Sequence, residues 1–305
     1  MMAKDKTKKE KLVTVIGSNY IHHLILNLLS NSFEVYKKRD FTMKSFQVSV
    51  LENTYATAGI VLTVLGIEAY RNRIFYLEKK KVEKDVANDL SNIIGKKEPT
   101  FPKDNFRNIL REVFVIRDVI VHNHIYEVEV STDENWEMLG HKQKLLEGYG
   151  DNEKFKNSVN SRTRKTKLLK FNVQPAKIGF EDLNTLLVVF DLFVGISQNI
   201  FGYGHVPFHF AYKLNNNYED NLSRLLASYC ERIPNQKYIN QVNILIKKNL
   251  KNDYSKFLAN NREYVITNIC PKCSAFGLHK PNNITSCSKC KFEIKIASNI
   301  PIPVN

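Results

Sequence analysis

The stretch that most restricts the fold is residues 104–130, DNFRNILREVFVIRDVIVHNHIYEVEV. Pro102 and Asp104 supply a helix start signal at its head. At about 100° per residue its apolar side chains, among them Ile109, Leu110, Val113, Phe114, Ile116 and Val119, fall on nearly every face. A helix that is apolar all round must be covered by protein, so the pattern predicts one buried or interface helix spanning the stretch. Within the apolar wall stand Arg117, Asp118 and His122. Asp118 and His122 are four apart and share a face, with Arg117 on the shoulder of the same arc. Charges and an imidazole placed there require partners or a wet cleft, because an unpaired buried charge is costly. The triplet is the first candidate site.

The surrounding walls are predicted to be helical. Ile21, Leu24, Ile25, Leu28 and Leu29 recur at helical spacing within residues 18–36. Residues 54–79 form a second helix whose small, apolar first half favours close helix approach, although Gly59 and Gly66 each cost about 1 kcal/mol of helix propensity. Its second half carries Glu68, Arg71 and Asn72. A third long helix is predicted over residues 179–201, with Glu181 and Asp182 at the positive end of its dipole. Apolar stripes at 218–233 and 236–258, divided by Pro234, predict two more. The lysine-rich run at 78–84 reads as a solvated face, and residues 94–101 as a loop. The fold class is therefore mainly α, with a small β element at the C-terminal end.

RDVIVH is an Arg-x4-His arrangement with a polar residue directly after the arginine. It resembles the ribonuclease motif of the HEPN superfamily, whose members are small all-helical, usually dimeric domains of toxins, phage-defence proteins and RNA-processing factors. The resemblance covers about residues 15–200. It implies that Arg117 and His122 serve metal-independent RNA cleavage with Asp118 as polar support, although Asn is frequent at that position in the family. It also implies polar residues from an early helix beside the motif, for which Glu68 and Arg71 are the candidates, and a homodimer formed through the motif helix. An antitoxin or defence-system partner would follow from the same likeness.

Charge agrees with such a substrate. The chain of 305 residues carries a net charge of +14, so a polyanion is the default partner, RNA or DNA before membrane. Charge does not separate the two; the HEPN resemblance implies RNA, tRNA included. Arg162, Arg164, Lys165, Lys167 and Lys170 lie within nine residues, bracketed by Phe155 and Phe171, and form the leading candidate for phosphate contact. A charged linker has the same composition. His205 and His209 flank Pro207 in a glycine-containing turn, which is poor geometry for a metal pair. No secretory signal is visible. The most apolar runs, 56–67 and 186–196, are shorter than the roughly 18–20 residues that span a bilayer, so the expectation is a cytoplasmic protein without membrane contact.

Cys270, Cys273, Cys287 and Cys290 form two Cys-x2-Cys pairs with thirteen residues between them. Two such knuckles direct four thiolates at one ion, and the short apolar runs beside them suggest strands, so the segment resembles a zinc ribbon. Four thiolates fill a tetrahedral sphere, which makes the expected Zn2+ structural and leaves catalysis without a metal. The resulting organisation is a basic tail at 1–12 and a HEPN-like helical domain at 13–212 with an irregular basic insertion at 131–178. A helical extension at 213–262 and the ribbon at 263–305 complete it. The function expected is endoribonuclease activity in phage defence or toxin–antitoxin growth control. The rival is a non-catalytic nucleic-acid-binding or adaptor protein using a helical dimer and the ribbon.

Overall fold

A computed structural model describes residues 21–41, 48–83, 85–122, 126–145 and 152–201 of the chain. Beyond these it describes residues 212–214, 218–220, 226, 229, 232–235, 238, 278–279, 284–287 and 293–295. The helices are α1 (Ile21–Tyr36), α2 (Val50–Leu77), α3 (Val86–Lys97), α4 (Lys103–His122), α5 (Asn152–Ser158) and α6 (Phe180–Phe201). Between α4 and α5 lie strands β1 (Tyr126–Thr132) and β2 (Met138–Leu145), and after α5 come β3 (Val159–Asn160) and β4 (Lys165–Thr166). Short strands β5 (Tyr212–Leu214), β6 (Tyr218–Asp220), β7 (Leu278–His279), β8 (Ile284–Cys287) and β9 (Glu293–Lys295) follow. Among the described residues the chain is mainly α.

Helix α2 is the hub, packing against α1, α6, α4 and α3. It starts at Ser49, whose side chain accepts the N–H of Glu52 at 3.2 Å. In a capping box the Glu52 carboxylate would turn back to its own helix. Here it leaves, taking two hydrogen bonds from Arg39 at 2.7 and 2.6 Å and one from the N–H of Phe180 at 2.8 Å. The same buried charge thus ties α2 to the start of α6. A Cβ on Gly179 would lie 2.7 Å from Glu52 Oε1 and 2.8 Å from Arg39 Nη2, so any larger residue there would force that ion pair to shift. Gly59 does the like for the middle of the α2–α6 contact, where an added Cβ would meet Leu183 at 2.8 Å.

Aromatic rings fill the α1–α6 end of the core, with Phe33 4.4 Å from Tyr229 and Tyr36 4.7 Å from Phe180, centroid to centroid. The Tyr36 hydroxyl donates to Glu181 at 2.8 Å; burial, then the neighbouring carboxylate, raises its pKa far above the usual phenol range. Helix α2 is also, by length and composition, apolar enough to cross a membrane. In this fold much of it is covered by other helices, and its buried Glu52 and Arg71 are ion-paired within the protein.

Several boundaries differ from the sequence expectation. The long helix ends at His122, and residues 126–132 are a strand paired antiparallel with β2 from Tyr126 opposite Leu145 to Thr132 opposite Met138. The YEVEV tail alternates with period two, and that pattern overrides the apolar count. Helix α3 fills the stretch between the lysine run and the expected loop, and replaces that loop only at residues 94–97. Asp85 caps it by accepting the N–H of Asn88 at 3.0 Å, and Val86, Leu90, Ile93 and Ile94 are buried. The insertion at 131–178 is not irregular but holds β1–β2, α5 and the β3–β4 hairpin. Residues 218–220 pair with 212–214 as a hairpin instead of opening a helix. The basic tail at 1–12, His205, His209 and most of 236–258 lie outside the described residues.

Candidate active site

Helix α4 is closed by its own chain. From Ile109 to Ile116 every residue is buried except Arg111, and at Arg117 the helix reopens to solvent. The sides that made it a candidate dimer surface are covered by α2, α3 and α5. What the fold exposes is the C-terminal end, with Val121 and His122 at the surface.

Four charges meet at that opening. Arg117 Nη1 lies 3.5 Å from Glu68 Oε1 of α2, and Arg117 Nε lies 2.7 Å from Asp118 Oδ1. The latter pair is Coulombic, since neither atom makes a hydrogen bond in that contact. Asp118 Oδ2 instead accepts from Lys154 Nζ of α5 at 2.6 Å. The guanidinium also lies over the Phe114 ring, 5.5 Å from its centroid. The side chains of Glu68 and Arg117 are 29% and 30% exposed, those of Asp118 and Lys154 13% and 20%. The chain Glu68–Arg117–Asp118–Lys154 therefore alternates in sign and sums to zero, at the boundary between core and water. His122 follows Asp118 by one turn and is exposed.

Glu68 thus joins the motif, whereas Arg71 does not. Arg71 faces α3, where Nη1 donates to Asp89 Oδ2 at 2.5 Å and to the carbonyl of Glu83 at 3.0 Å, and it is only 8% exposed. Its role is to bolt α2 to the α3 entrance. Lys154 takes the second cationic place beside the motif. No local spacing announces it, because it stands 36 residues from Asp118.

The basic cluster is a built hairpin, not a linker. Asn160 pairs with Lys165 and Val159 with Thr166 across β3–β4, around a turn in which Arg164 has φ 51°. Arg162, Lys167 and Lys170 are exposed, and Arg164 and Lys165 are half-buried. Lys167 Nζ donates to the carbonyl of Lys156 at 2.9 Å and Lys170 Nζ to that of Lys167 at 2.6 Å. Glu112 holds the segment to α4, its two oxygens accepting the N–H groups of Leu168 and Leu169 at 2.7 Å each. Burial pushes the Glu112 carboxyl up, partly offset by those two donors. A lone carboxylate among Leu110, Val113 and Phe114 was the sequence signal for this clamp. Glu112 is five residues before Arg117, roughly 8 Å along the helix axis, so one helix carries both the motif and the anchor of the cations.

At the other end of the chain, β8 is the central strand of a three-stranded antiparallel sheet ordered β7-β8-β9. Cys287 is the last residue of β8, opposite Leu278; Cys270, Cys273 and Cys290 lie outside the described residues.

No family model matches the chain, and neither a curated protein nor a solved structure is similar to it. The likeness to HEPN proteins accordingly rests on Arg117, Asp118 and His122 and on their helical setting.

Proposed function

We propose that the protein is a metal-independent endoribonuclease of HEPN type. The observation that carries this reading is that α4, closed from Ile109 to Ile116 apart from Arg111, reopens at Arg117, Asp118 and His122, with Lys154 bonded to Asp118. RNA supplies its own nucleophile. A base takes the 2′-OH proton, that oxygen attacks the adjacent phosphorus, and the P–O5′ bond breaks as the leaving oxygen gains a proton. The products end in a 2′,3′-cyclic phosphate and a 5′-hydroxyl. An imidazole in the place of His122 suits proton transfer. The Arg117 fork suits the equatorial phosphate oxygens. Lys154 holds Asp118 on the side away from the guanidinium, which limits the neutralisation of Arg117. The exposed Arg162, Lys167 and Lys170 supply backbone contacts for a strand, with tRNA among the substrates to try. Four cysteine thiolates in the C-terminal segment suit a structural Zn2+ ion.

The reaction prefers two proton-transfer groups, and one motif brings one histidine; a homodimer would bring the second. The biological settings consistent with this chemistry are phage defence and toxin–antitoxin control. One observation favours the rival adaptor reading, namely that Arg117 already sits between two carboxylates.

The deciding experiment incubates the full chain with total RNA and tRNA in excess EDTA, wild type beside His122→Ala, with zinc content measured afterwards. Chelator-resistant cutting that is lost in the variant, with one zinc retained per chain, is the expected result. Cutting that survives in the variant would sink the motif assignment. Binding without cutting by a folded wild type would favour the adaptor.

A further inference from the structure

The strands of the β1–β2 ribbon pair with each other and pack substantially on no other described element. A two-stranded ribbon alone in water is marginally stable at best, so such an arm calls for a covering surface. Its tip nevertheless is firmly built. Asp133 Oδ1 accepts the N–H groups of Asn135 at 2.9 Å and Glu137 at 2.8 Å, and Asp133 N–H donates to the carbonyl of Glu137 at 3.0 Å. That network holds Trp136 at φ 64°, a left-handed conformation that a bulky residue rarely adopts. The outcome is an indole 86% exposed, the most exposed large apolar side chain among those described. Leu139, at the register shift opposite Ser131–Thr132, is 71% exposed, and Val130 is 51% exposed. Three large, exposed apolar side chains on one hydrogen-bonded tip mark an interaction site.

Charge selects the occupant. Residues 133–137 carry three carboxylates, Asp133, Glu134 and Glu137, and no cation. They repel phosphate, which argues against RNA stacking on Trp136 and against an anionic lipid surface. Removing those three charges from the total leaves the rest of the chain at +17, from +14 plus 3. A tip of −3 on a body of +17 is complementary to another molecule of its own kind, which is always present at equal concentration.

We propose that the tip formed by Val130, Trp136 and Leu139 docks onto a second copy of this chain, the carboxylates around it pairing with that copy's cationic surface. Two-fold symmetry makes the contact reciprocal, so each pair buries two indoles. An aromatic side chain of this kind contributes about 150–250 Å² of contact. Since β1 begins four residues after His122, arm exchange also sets the second chain beside the exposed end of α4. That last consequence rests on the ribonuclease reading; the docking itself does not.

Trp136 is the only tryptophan in the chain, so its emission reports on the tip alone. The experiment takes the full chain without RNA across a wide concentration range, recording sedimentation mass, tryptophan emission and quenching by acrylamide. The expected result is a doubling of mass with a blue shift and reduced quenching over the same concentrations. Glu134→Lys with Glu137→Lys should move that transition to at least tenfold higher concentration, and Trp136→Ala should abolish the dimer with helical circular dichroism unchanged. A dimer whose emission stays that of a solvated indole would overturn the proposal. So would a monomer throughout, or a blue shift that requires added RNA or another protein. Loss of RNA cutting with this dimer intact would count against the ribonuclease reading alone.

Discussion

Helix α2 carries Glu68 and Arg71 within one turn, and each reaches an ion-pair partner on a different helix. Arg71 meets Asp89 of α3 in the core, at 8% exposure and with a backbone carbonyl as its second acceptor. Glu68 meets Arg117 of α4 at the surface, where both side chains are close to 30% exposed and the arginine shares its charge with Asp118. The residue types are the same and the consequences differ. A buried pair cannot exchange partners, because separating it strands a charge in low dielectric. A pair at the boundary with water can, since solvent compensates whichever group is released. The first arrangement fixes helices together, and the second can hand an arginine to a phosphate.

The contrast breaks most readily at the buried pair. Arg71→Met should cost about 3–5 kcal/mol, because Asp89 keeps only the N–H of Glu83 as a partner. Urea denaturation of the variant checks this, and a loss below about 1 kcal/mol would show that the pair is no bolt. Next comes Glu112, which is buried with no cation in contact and two backbone donors instead. Glu112→Ala orphans two buried N–H groups at about 1–3 kcal/mol each, for a total of about 3 kcal/mol. Hydrogen exchange should rise first at Leu168 and Leu169, and RNA affinity should fall as the basic hairpin loses its seat on α4.

These positions also mark how far the sequence could be read. Periodicity located the bodies of α1, α2, α4 and α6, because a core-facing stripe or an all-round apolar helix leaves a dense signal. It overran α4 because the apolar residues of YEVEV count equally for helix and strand until their alternation is weighed. It passed over α3 because Asp85, Asn88 and the flanking lysines make a twelve-residue amphipathic helix look like polar punctuation. Within the candidate site, Arg117, Asp118 and His122 were legible from their spacing along one helix, and Glu68 was named only through the family resemblance. Arg71 was not separable from Glu68, since which side of α2 faces α3 is a matter of packing. Lys154 was invisible for the same reason, lying on a helix whose docking onto α4 no local pattern encodes.

A third buried carboxylate sharpens the comparison from the side of pH. Asp182 is 4% exposed and accepts from Asn172 N–H at 2.8 Å, Asn172 Nδ2 at 2.9 Å and Gly179 N–H at 3.1 Å. No arginine stands against it, and burial pushes its pKa up to about 6 despite those donors and the charge of Lys165. The folded protein then holds this proton more tightly than the unfolded chain. Its contribution to stability is present below about pH 4 and is lost as pH rises towards 6. The span of two units corresponds to about 2–3 kcal/mol. Urea titrations from pH 4 to 7 should show that slope in the difference between wild type and Asp182→Asn. A flat difference would mean that the three donors compensate the charge as fully as Arg71 does for Asp89.

The smallest effect on stability is expected at the arginine proposed to grip phosphate. Arg117→Ala removes a partly exposed arginine from two carboxylates, and Asp118 keeps its 2.6 Å bond to Lys154. Pairs of this exposure contribute about 0–1 kcal/mol, so the midpoint of urea unfolding should move little. Chelator-resistant RNA cutting should nevertheless fall by at least about a hundredfold, the usual cost of removing a group that stabilises transition-state charge. Arg117→Lys tests whether charge suffices; a single ammonium lacks the fork that grips two phosphate oxygens, so rescue should be partial. If Arg117→Ala instead destabilises the fold as much as Arg71→Met, then the pair at the boundary is a bolt like the buried one. The opening of α4 would then be a seam between helices and not a site.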